Sequence, residues 1–321
     1  KMKLHRITID TNPDTCNFKC KMCDTHSIYN EGYKKTRPDM PLELLNIALK
    51  GAKNAGVKEI IPTTMGEPTL YKYFENIVEF CKDNDIKLNL TTNGSQLFSK
   101  RYDETYIKEK LLAVLSDIKI SFNSLDSKIN ESIMYKSNTE STIKRIERFC
   151  LLRDMYNKNV SITLQMTFMR SNLDSIIPLI EYAIKKGINR IKGHQLWITH
   201  EELESEALHT DETYKKKWNA LVESLVPYRD KIRLENFMPF GDESIDSTTQ
   251  KQCPFLGKEL WINYKGDISV CCAPDNLRKE LGDFGNIKNS TLLQVLESTQ
   301  YQNLVKSYQT KEVCKQCLLK K

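Results

Sequence analysis

The sequence predicts an α/β protein, with one parallel sheet in its N-terminal part and a small cysteine-rich extension at its C-terminal end. Three observations predict this. Six strand-like runs alternate with helix patterns between Leu4 and Leu196, an order that yields parallel strands joined by right-handed crossovers. Cys16, Cys20 and Cys23 stand in the loop that leaves the first strand. Cys253, Cys271, Cys272, Cys314 and Cys317 gather near the other end of the chain. The boundaries read as 1–198 for the sheet domain, 199–252 for a linker or helical insertion, and 253–321 for the extension.

In order, Leu4 to Asp10 reads as a strand by its β-branched content and partial alternation. Pro41 to Ala55 predicts a helix with Leu42, Leu45, Leu49 and Ala52 on one face and Gly56 as its stop. Val57 to Pro62 is a short apolar strand, followed by Thr63-Thr64-Met65-Gly66-Glu67-Pro68. A helix from Tyr71 to Asn84 precedes the strand Ile86 to Thr91, which ends in Thr92-Asn93-Gly94. A helix around Tyr102 to Leu115 leads to the strand Asp117 to Asn123. A helix near Ser141 to Tyr156, the strand Val160 to Phe168, a helix with Pro178 in its first turn and the strand Ile188 to Leu196 follow. Six such units are too few for a closed eight-stranded barrel.

Beyond Thr199 the chain changes character. Glu201 to Glu206 is acidic, Tyr214 to Val226 is helical, and Asp242 to Gln252 is polar and loop-like. Leu260 to Asn263 and Asp267 to Val270 then flank Tyr264-Lys265-Gly266 as a hairpin. The hairpin delivers Cys271 back beside Cys253. A helix from Thr291 to about Tyr308 leads to Cys314-Lys315-Gln316-Cys317.

Composition bounds the function. Of 321 residues, 40% are hydrophobic and 28% charged, the profile of a globular domain. No apolar run approaches the ~20 residues of a membrane span, and no signal-peptide core opens the chain. A cytoplasmic, membrane-free protein is expected, in which ten cysteines serve as metal ligands or reactive thiols. The 48 basic residues are interleaved with 42 acidic ones. That balance argues against a nucleic-acid partner, which wants a concentrated basic patch. Cys81 and Cys150 fall inside helix patterns and read as buried small hydrophobes.

Cys16-Asn17-Phe18-Lys19-Cys20-Lys21-Met22-Cys23 offers three thiolates on one short loop. Soft sulfur ligands select iron–sulfur clusters or zinc. Three of them can hold three corners of a cubane cluster and leave one iron open. Zinc would want a fourth ligand, which His26 could supply.

This CxxxCxxC spacing after a strand resembles the radical S-adenosylmethionine (SAM) superfamily, and the resemblance runs from Leu4 to Leu196. It implies a partial (β/α)6 TIM-like barrel in which SAM chelates the open iron. Electron transfer from the cluster then yields methionine and a 5′-deoxyadenosyl radical. Gly66-Glu67-Pro68 resembles the family's motif for the SAM amino group, with the carboxylate accepting from the ammonium and Gly66 permitting close backbone approach. Asn93, in Thr92-Asn93-Gly94, resembles the family's TNG strand ending. Ser121 and Asn123 resemble the polar positions that touch the SAM carboxylate and ribose. Met22 stands where many members carry an aromatic residue beside the adenine, and an unbranched thioether can still cover a ring.

Cys253, Cys271, Cys314 and Cys317 make four thiolates, enough for a complete cluster or for a zinc ribbon. Behind such a core they resemble the SPASM/twitch extensions, which bind auxiliary [4Fe-4S] clusters. Full SPASM domains have seven cysteines, so the one-cluster twitch form is the better match. Leu281 to Ile287 resembles the GNI stretch of that extension. Two [4Fe-4S] clusters per chain and SAM are therefore expected, with an electron donor such as flavodoxin or ferredoxin. Cys272 follows a presumed ligand on a strand, so alternation predicts that it points away from Cys271. It reads either as a packed thiol or as a catalytic hydrogen-atom donor like that of radical SAM epimerases.

The resemblance implies hydrogen abstraction from a substrate carbon, ending in dehydrogenation or epimerisation. Met65 in place of the first glycine of GGEP, and the lack of an N-terminal leader-binding domain, lean towards a sugar or aminocyclitol. A peptide, modified by epimerisation or cross-linking, is the alternative. A non-catalytic metal-binding protein is the remaining one.

Overall fold

The computed structural model describes residues 4–32, 34–63, 65–241, 252–273, 275–315 and 317. Thr64, Gln316 and the polar stretch 242–251 read from the sequence lie outside them. The strands are β1 (Arg6–Ile9), β2 (Lys19–Cys20), β3 (Glu59–Pro62), β4 (Lys87–Thr92), β5 (Leu115–Ser121), β6 (Met134–Tyr135), β7 (Ser161–Phe168), β8 (Arg190–Gln195), β9 (Arg233–Glu235), β10 (Glu259–Ile262) and β11 (Ile268–Ser269). Nine of them form one sheet in the order β11-β10-β1-β3-β4-β5-β7-β8-β9. Every neighbouring pair is parallel except β10–β11. The sheet is an open, partial barrel whose edges are β9 and β11.

Period-two alternation explains both faces. Leu88, Leu90, Ile118, Ile120, Ile162, Leu164 and Ile191 are fully buried and point to the helix side. There they join Leu45, Leu49, Ile77, Phe149 and Ile180 in one core. The helices Leu42–Asn54, Phe74–Asp83, Thr139–Tyr156 and Ile176–Lys185 supply that layer. The helix expected around Tyr102 to Leu115 carries a π-turn at Ile107–Leu111 and ends as β5 begins. Cys81 and Cys150 are buried in the core, 1% and 4% exposed.

The six expected parallel strands are present, and the sheet holds two parallel strands more. β10, expected as half of a separate hairpin, pairs with β1 from Arg6↔Glu259 to Ile9↔Ile262. β9, in the stretch expected as linker, pairs with β8. Its Arg233-Leu234-Glu235 is too short and too charged to show a strand pattern. The same stretch supplies the helix Glu212–Ser224, whose Trp218 ring lies 4.5 Å from Phe168. Gly193 makes room for that contact, since a Cβ there would sit 1.8 Å from the Phe168 ring. The helix expected from Thr291 to Tyr308 breaks at Ser298, whose hydroxyl accepts from the Tyr301 amide at 3.2 Å and caps a second helix. Among the described residues, no helix is long and apolar enough to cross a membrane.

The other face of the sheet is charged at its lower end. Arg6 bridges Glu59 at 2.5 Å and Glu259 at 3.2 Å, linking β1, β3 and β10. Asn89 donates to Glu59 at 2.9 Å and accepts from Lys119. Lys119 pairs with Asp117 at 3.1 Å, Asp117 with Arg190 at 2.7 Å, and Arg190 with Glu235 at 2.6 Å. Burial pushes the Asp117 carboxyl up, but Lys119 and Arg190 more than reverse this and hold it below its ordinary value. A polar ladder thus crosses the eight parallel strands, with Thr163 of β7 donating to Asp117 at 2.9 Å. Arg190→Met will leave Asp117 and Glu235 without their shared cation. Removing one partner of a buried pair should cost about 3 kcal/mol, read as a lower urea midpoint at unchanged slope.

Candidate active site

The loop after β1 is held from both sides before its cysteines do anything. Asp14 accepts from the Thr36 and Arg37 amides at 3.0 and 2.8 Å and pairs with the Arg37 guanidinium at 2.6 Å. Further along, β2 pairs with β6 antiparallel, setting Cys20 opposite Met134. This two-residue ribbon, preceded by the helix Ser127–Ile133, has no signal in the sequence. It fixes the path of the cysteine loop.

Cys16, Cys20 and Cys23 all face one cavity of about 920 Å3. Burial raises all three thiol pKa values, Cys16 to about 12, and the neighbouring sulfurs raise Cys16 and Cys20 further. Such thiols ionise only against a cationic core, and three soft sulfurs on one wall fit an iron–sulfur cubane. Among the described residues, no three His, Cys, Asp or Glu side chains gather around a single-ion position. In a cubane each thiolate takes its own iron. His26, the candidate fourth zinc ligand, is 8% exposed, and its Nε2 donates to the Pro13 carbonyl at 2.9 Å.

Gly66 and Glu67 sit beside Cys16. A Cβ at Gly66 would lie 2.0 Å from the Asn12 carbonyl oxygen and 2.7 Å from that of Thr15. Its smallness therefore lets two loops pack, and Gly66 also lines the cavity, where the ligand approach was expected. Glu67 is 2% exposed. Its Oε1 accepts from the Thr69 hydroxyl at 2.6 Å and the Thr92 hydroxyl at 2.7 Å, and its Oε2 from the Asn93 amide at 2.7 Å. Burial raises its pKa, and these hydrogen bonds only partly offset that. Pro68 is buried at the start of a single 3-10 turn and does not reach the cavity wall.

Asn93 lies on the wall and donates to Asn17 at 2.9 Å, with Cys16 Sγ 4.0 Å away. Ser121 and Met22 also line the cavity. Met22 packs against an apolar cluster that includes Phe18, Met134, Met169 and Leu196. Asn123 does not reach the cavity. It is fully buried, its Oδ1 accepts from the Thr167 amide at 2.9 Å, and its own amide donates to Asn130 at 3.0 Å. It ties the end of β5 to β7, so the expected ligand contact gives way to a scaffold role.

Cys253, Cys271, Cys314 and Cys317 line the same cavity. The Cys253 amide donates to the Tyr308 hydroxyl at 3.0 Å, and the Gly257 amide to that of Tyr301 at 2.7 Å. These bonds dock the loop before β10 onto the C-terminal helices. Glu280 accepts from the Glu312 and Val313 amides at 2.7 and 2.9 Å and so holds the turn carrying Cys314. Burial raises the Cys253 pKa, and the nearby Cys271 and Cys317 sulfurs raise it further.

Cys272 is placed otherwise than expected. β11 ends at Ser269, so strand alternation no longer governs residues 271 and 272. Both thiols line the cavity. Each acts on the other, holding the Cys271 pKa below and the Cys272 pKa above the ordinary thiol value.

By register, β1 and β10 run side by side, with Cys16 beyond one end of the pair and Cys253 and Cys271 beyond the other. Four-residue strands at ~3.3 Å per residue separate those ends by roughly 10 Å. The cavity bridges them. Its sheet wall is Thr91, Ser121, Gln165, Thr167 and His194, one layer above the ion-pair ladder. Burial and Lys192 lower the His194 pKa to about 4, so the imidazole is neutral at physiological pH. Since its unfolded value is near 6.5, this group withdraws stability as the pH falls from 6.5 towards 4. Sequence reasoning passed over His194. Its signal was the alternation Arg190, Lys192, His194 along one strand face. Among the described residues, the wall's carboxylates are Asp24, Glu67, Glu280 and Glu312, and it carries no Lys or Arg.

Comparison with known proteins gives two family matches. The model of the radical SAM superfamily matches residues 13–183. The SPASM iron–sulfur cluster-binding domain matches residues 253–318. A curated S-adenosylmethionine-dependent nucleotide dehydratase from Selenomonas ruminantium is 23% identical over 51% of this chain and 57% of its own length. The chain spans about half the length of the curated relatives it matches. Among solved structures, Streptococcus suis SuiB bound to precursor peptide SuiA superposes with a TM-score of 0.69 at 19% identity, over 98% of this chain and 71% of that one. An anSMEcpe structure with bound AdoMet and a Cp18Cys peptide gives 0.64 at 18% identity, over 98% and 86%. At these identities the likeness is one of fold.

Proposed function

Because the chain belongs to the radical SAM superfamily and carries a SPASM iron–sulfur domain, we propose that it abstracts a hydrogen atom from a carbon of a peptide held between its two cysteine sets. The cofactors of the family are SAM and [4Fe-4S] clusters. Together they supply a 5′-deoxyadenosyl radical able to attack an unactivated C–H bond. In this reading Cys16, Cys20 and Cys23 hold the cluster that meets SAM, and Cys253, Cys271, Cys314 and Cys317 hold the auxiliary one. The observation that carries it is the single cavity touching both sets.

The wall supports the choice of substrate. Its barrel side offers neutral hydrogen-bonding groups, Ser121, Gln165, Thr167 and His194. At its margin Trp197 and Leu277 are 57% and 47% exposed. Such apolar groups are what peptide side chains cover. Among the described residues the wall carries four carboxylates and no Lys or Arg, which disfavours a phosphate-bearing substrate. Those carboxylates favour a second reading, an aminocyclitol or amino sugar with its cationic amines. SuiB and anSMEcpe, both solved with peptides, add support for the first. Anaerobic turnover against peptide and aminocyclitol panels, scored by 5′-deoxyadenosine matched to a substrate mass change, tests the choice.

Dehydrogenation and epimerisation separate at Cys272. Its thiol lines the cavity and its hydrogen exchanges with solvent, so in an epimerase it would return a hydrogen atom to the substrate radical on the opposite face. The sulfur radical left behind would take a proton from solvent and one electron from the auxiliary cluster that Cys253, Cys271, Cys314 and Cys317 would hold. In deuterated water the wild type should then place one deuterium on the product carbon. Cys272→Ala should still form 5′-deoxyadenosine while losing inversion at least about a hundredfold, a barrier change of roughly 2.7 kcal/mol. Undiminished turnover in the alanine variant would assign the reaction to dehydrogenation. The substrate radical would then give its proton to the neutral His194 on the wall and its electron to the auxiliary cluster that Cys253, Cys271, Cys314 and Cys317 would hold.

A further inference from the structure

The β2–β6 ribbon that steers the cysteine loop also forms its outer surface. Alternation sends Cys20 and Met134 to the cavity wall, and Lys19 and Tyr135 to the opposite side. Lys19 is exposed, and Tyr135 is 52% exposed. Lys136 follows, exposed, with a left-handed φ of 72° that turns the chain at the ribbon's end. Asn17 is exposed at the other end. This outer face thus shows two cations, a phenol and an amide.

Its surroundings single it out. Lys21, two residues on, is buried and paired with Glu206 at 3.5 Å. Among the described residues, neither Lys19 nor Lys136 pairs with a carboxylate. Around the C-terminal cysteines the exposed charges are mixed, with Lys315 3.6 Å from Glu312 and Glu280 beside them. The ribbon is also thin. Consecutive Cα atoms are about 3.8 Å apart, so Lys19 stands one residue from a thiol on the cavity wall. Electron transfer falls steeply with distance, which makes this a short way in from solvent.

We propose that the outer face of the β2–β6 ribbon docks an acidic one-electron carrier protein, a reduced flavin or iron–sulfur carrier, which passes its electron to the site held by Cys16, Cys20 and Cys23. The inference rests on the reading of those cysteines as cluster ligands. One electron leaves the carrier and enters the cluster, and no atom or proton is transferred. Lys19 and Lys136 attract the acidic face of the carrier and orient it. Tyr135 supplies a flat, partly apolar anchor at the centre of the contact.

The test compares a protein donor with a small one on the holoenzyme. SAM cleavage is driven by reduced flavodoxin in one arm and by dithionite, which needs no docking surface, in the other. The Lys19→Glu/Lys136→Glu variant should lose at least about tenfold in the flavodoxin arm and keep its dithionite rate and iron content. Its affinity for flavodoxin should fall in parallel, and the wild type's affinity should fall with added salt. An unchanged flavodoxin rate would overturn the proposal. If both arms fall together, Lys136→Glu alone decides: a loss confined to flavodoxin supports the docking face, and no such loss overturns it. A wild type that cleaves no SAM even with dithionite would instead overturn the functional reading, and this inference with it.

Discussion

Replacing Cys16, Cys20 and Cys23 together by alanine will bring 5′-deoxyadenosine formation down to background, a loss on the order of a thousandfold or more, equivalent to at least about 4 kcal/mol of barrier. The fold should survive. The loop's course is set by the β2–β6 backbone pairing and by the Asp14–Arg37 pair, and neither uses a thiol. With two clusters of equal size, roughly half of the iron should remain, held by the C-terminal thiols. Circular dichroism, iron analysis and the cleavage assay check the three parts separately. Stoichiometric zinc in anaerobically prepared protein would sink the reading of the C-terminal site as a cluster.

Glu67→Gln should produce two losses at once. If the carboxylate only met the SAM ammonium, affinity for SAM would fall and stability would hold. Here the same carboxylate joins the loop after β3 to the end of β4 through Thr69, Thr92 and Asn93. An amide cannot accept at both ends, so with its oxygen on the Asn93 amide its NH2 would face the Thr69 backbone N–H, which donates to Glu67 Oε1 at 3.2 Å. Loss of a hydrogen bond to a charged group costs about 1.5–3 kcal/mol, and the unsatisfied donor adds to it. We expect about 3 kcal/mol of lost stability together with a ten- to hundredfold loss in SAM affinity. Thermal unfolding and equilibrium dialysis read these out. An unchanged melting temperature would show that the four groups are not coupled as the distances indicate.

Acid sensitivity follows from other residues. The Glu67 pKa is raised, so protonation favours the folded state as the pH falls. Asp14, Glu59 and Asp117 have lowered values. The stability they contribute is present above their unfolded pKa values of about 4 and is lost as the pH drops through the folded ones.

Local pattern was enough for the α/β class, for the six central strands and for two separate groups of metal-type cysteines. Hydrophobic period and ligand spacing are written over a few consecutive residues and need no partner to be read. The rest depended on contacts between distant segments. β9 and β10 became sheet strands through pairing with β8 and β1, which no short charged run announces. Asn123 left the ligand set because the end of β5 is tied to β7. Gly66 gained a loop-packing constraint beside its place on the cavity wall because the Asn12 and Thr15 carbonyls fill the space next to it. Cys272 turned to the cavity because β11 stops at Ser269, beyond which alternation has no force. The sequence alone determined which chemistry-bearing side chains the chain owns and on which local elements they ride. Only the tertiary structure decided which of them share one cavity, because closeness across a sheet is set by strand order and register, and these are global properties of the folded chain.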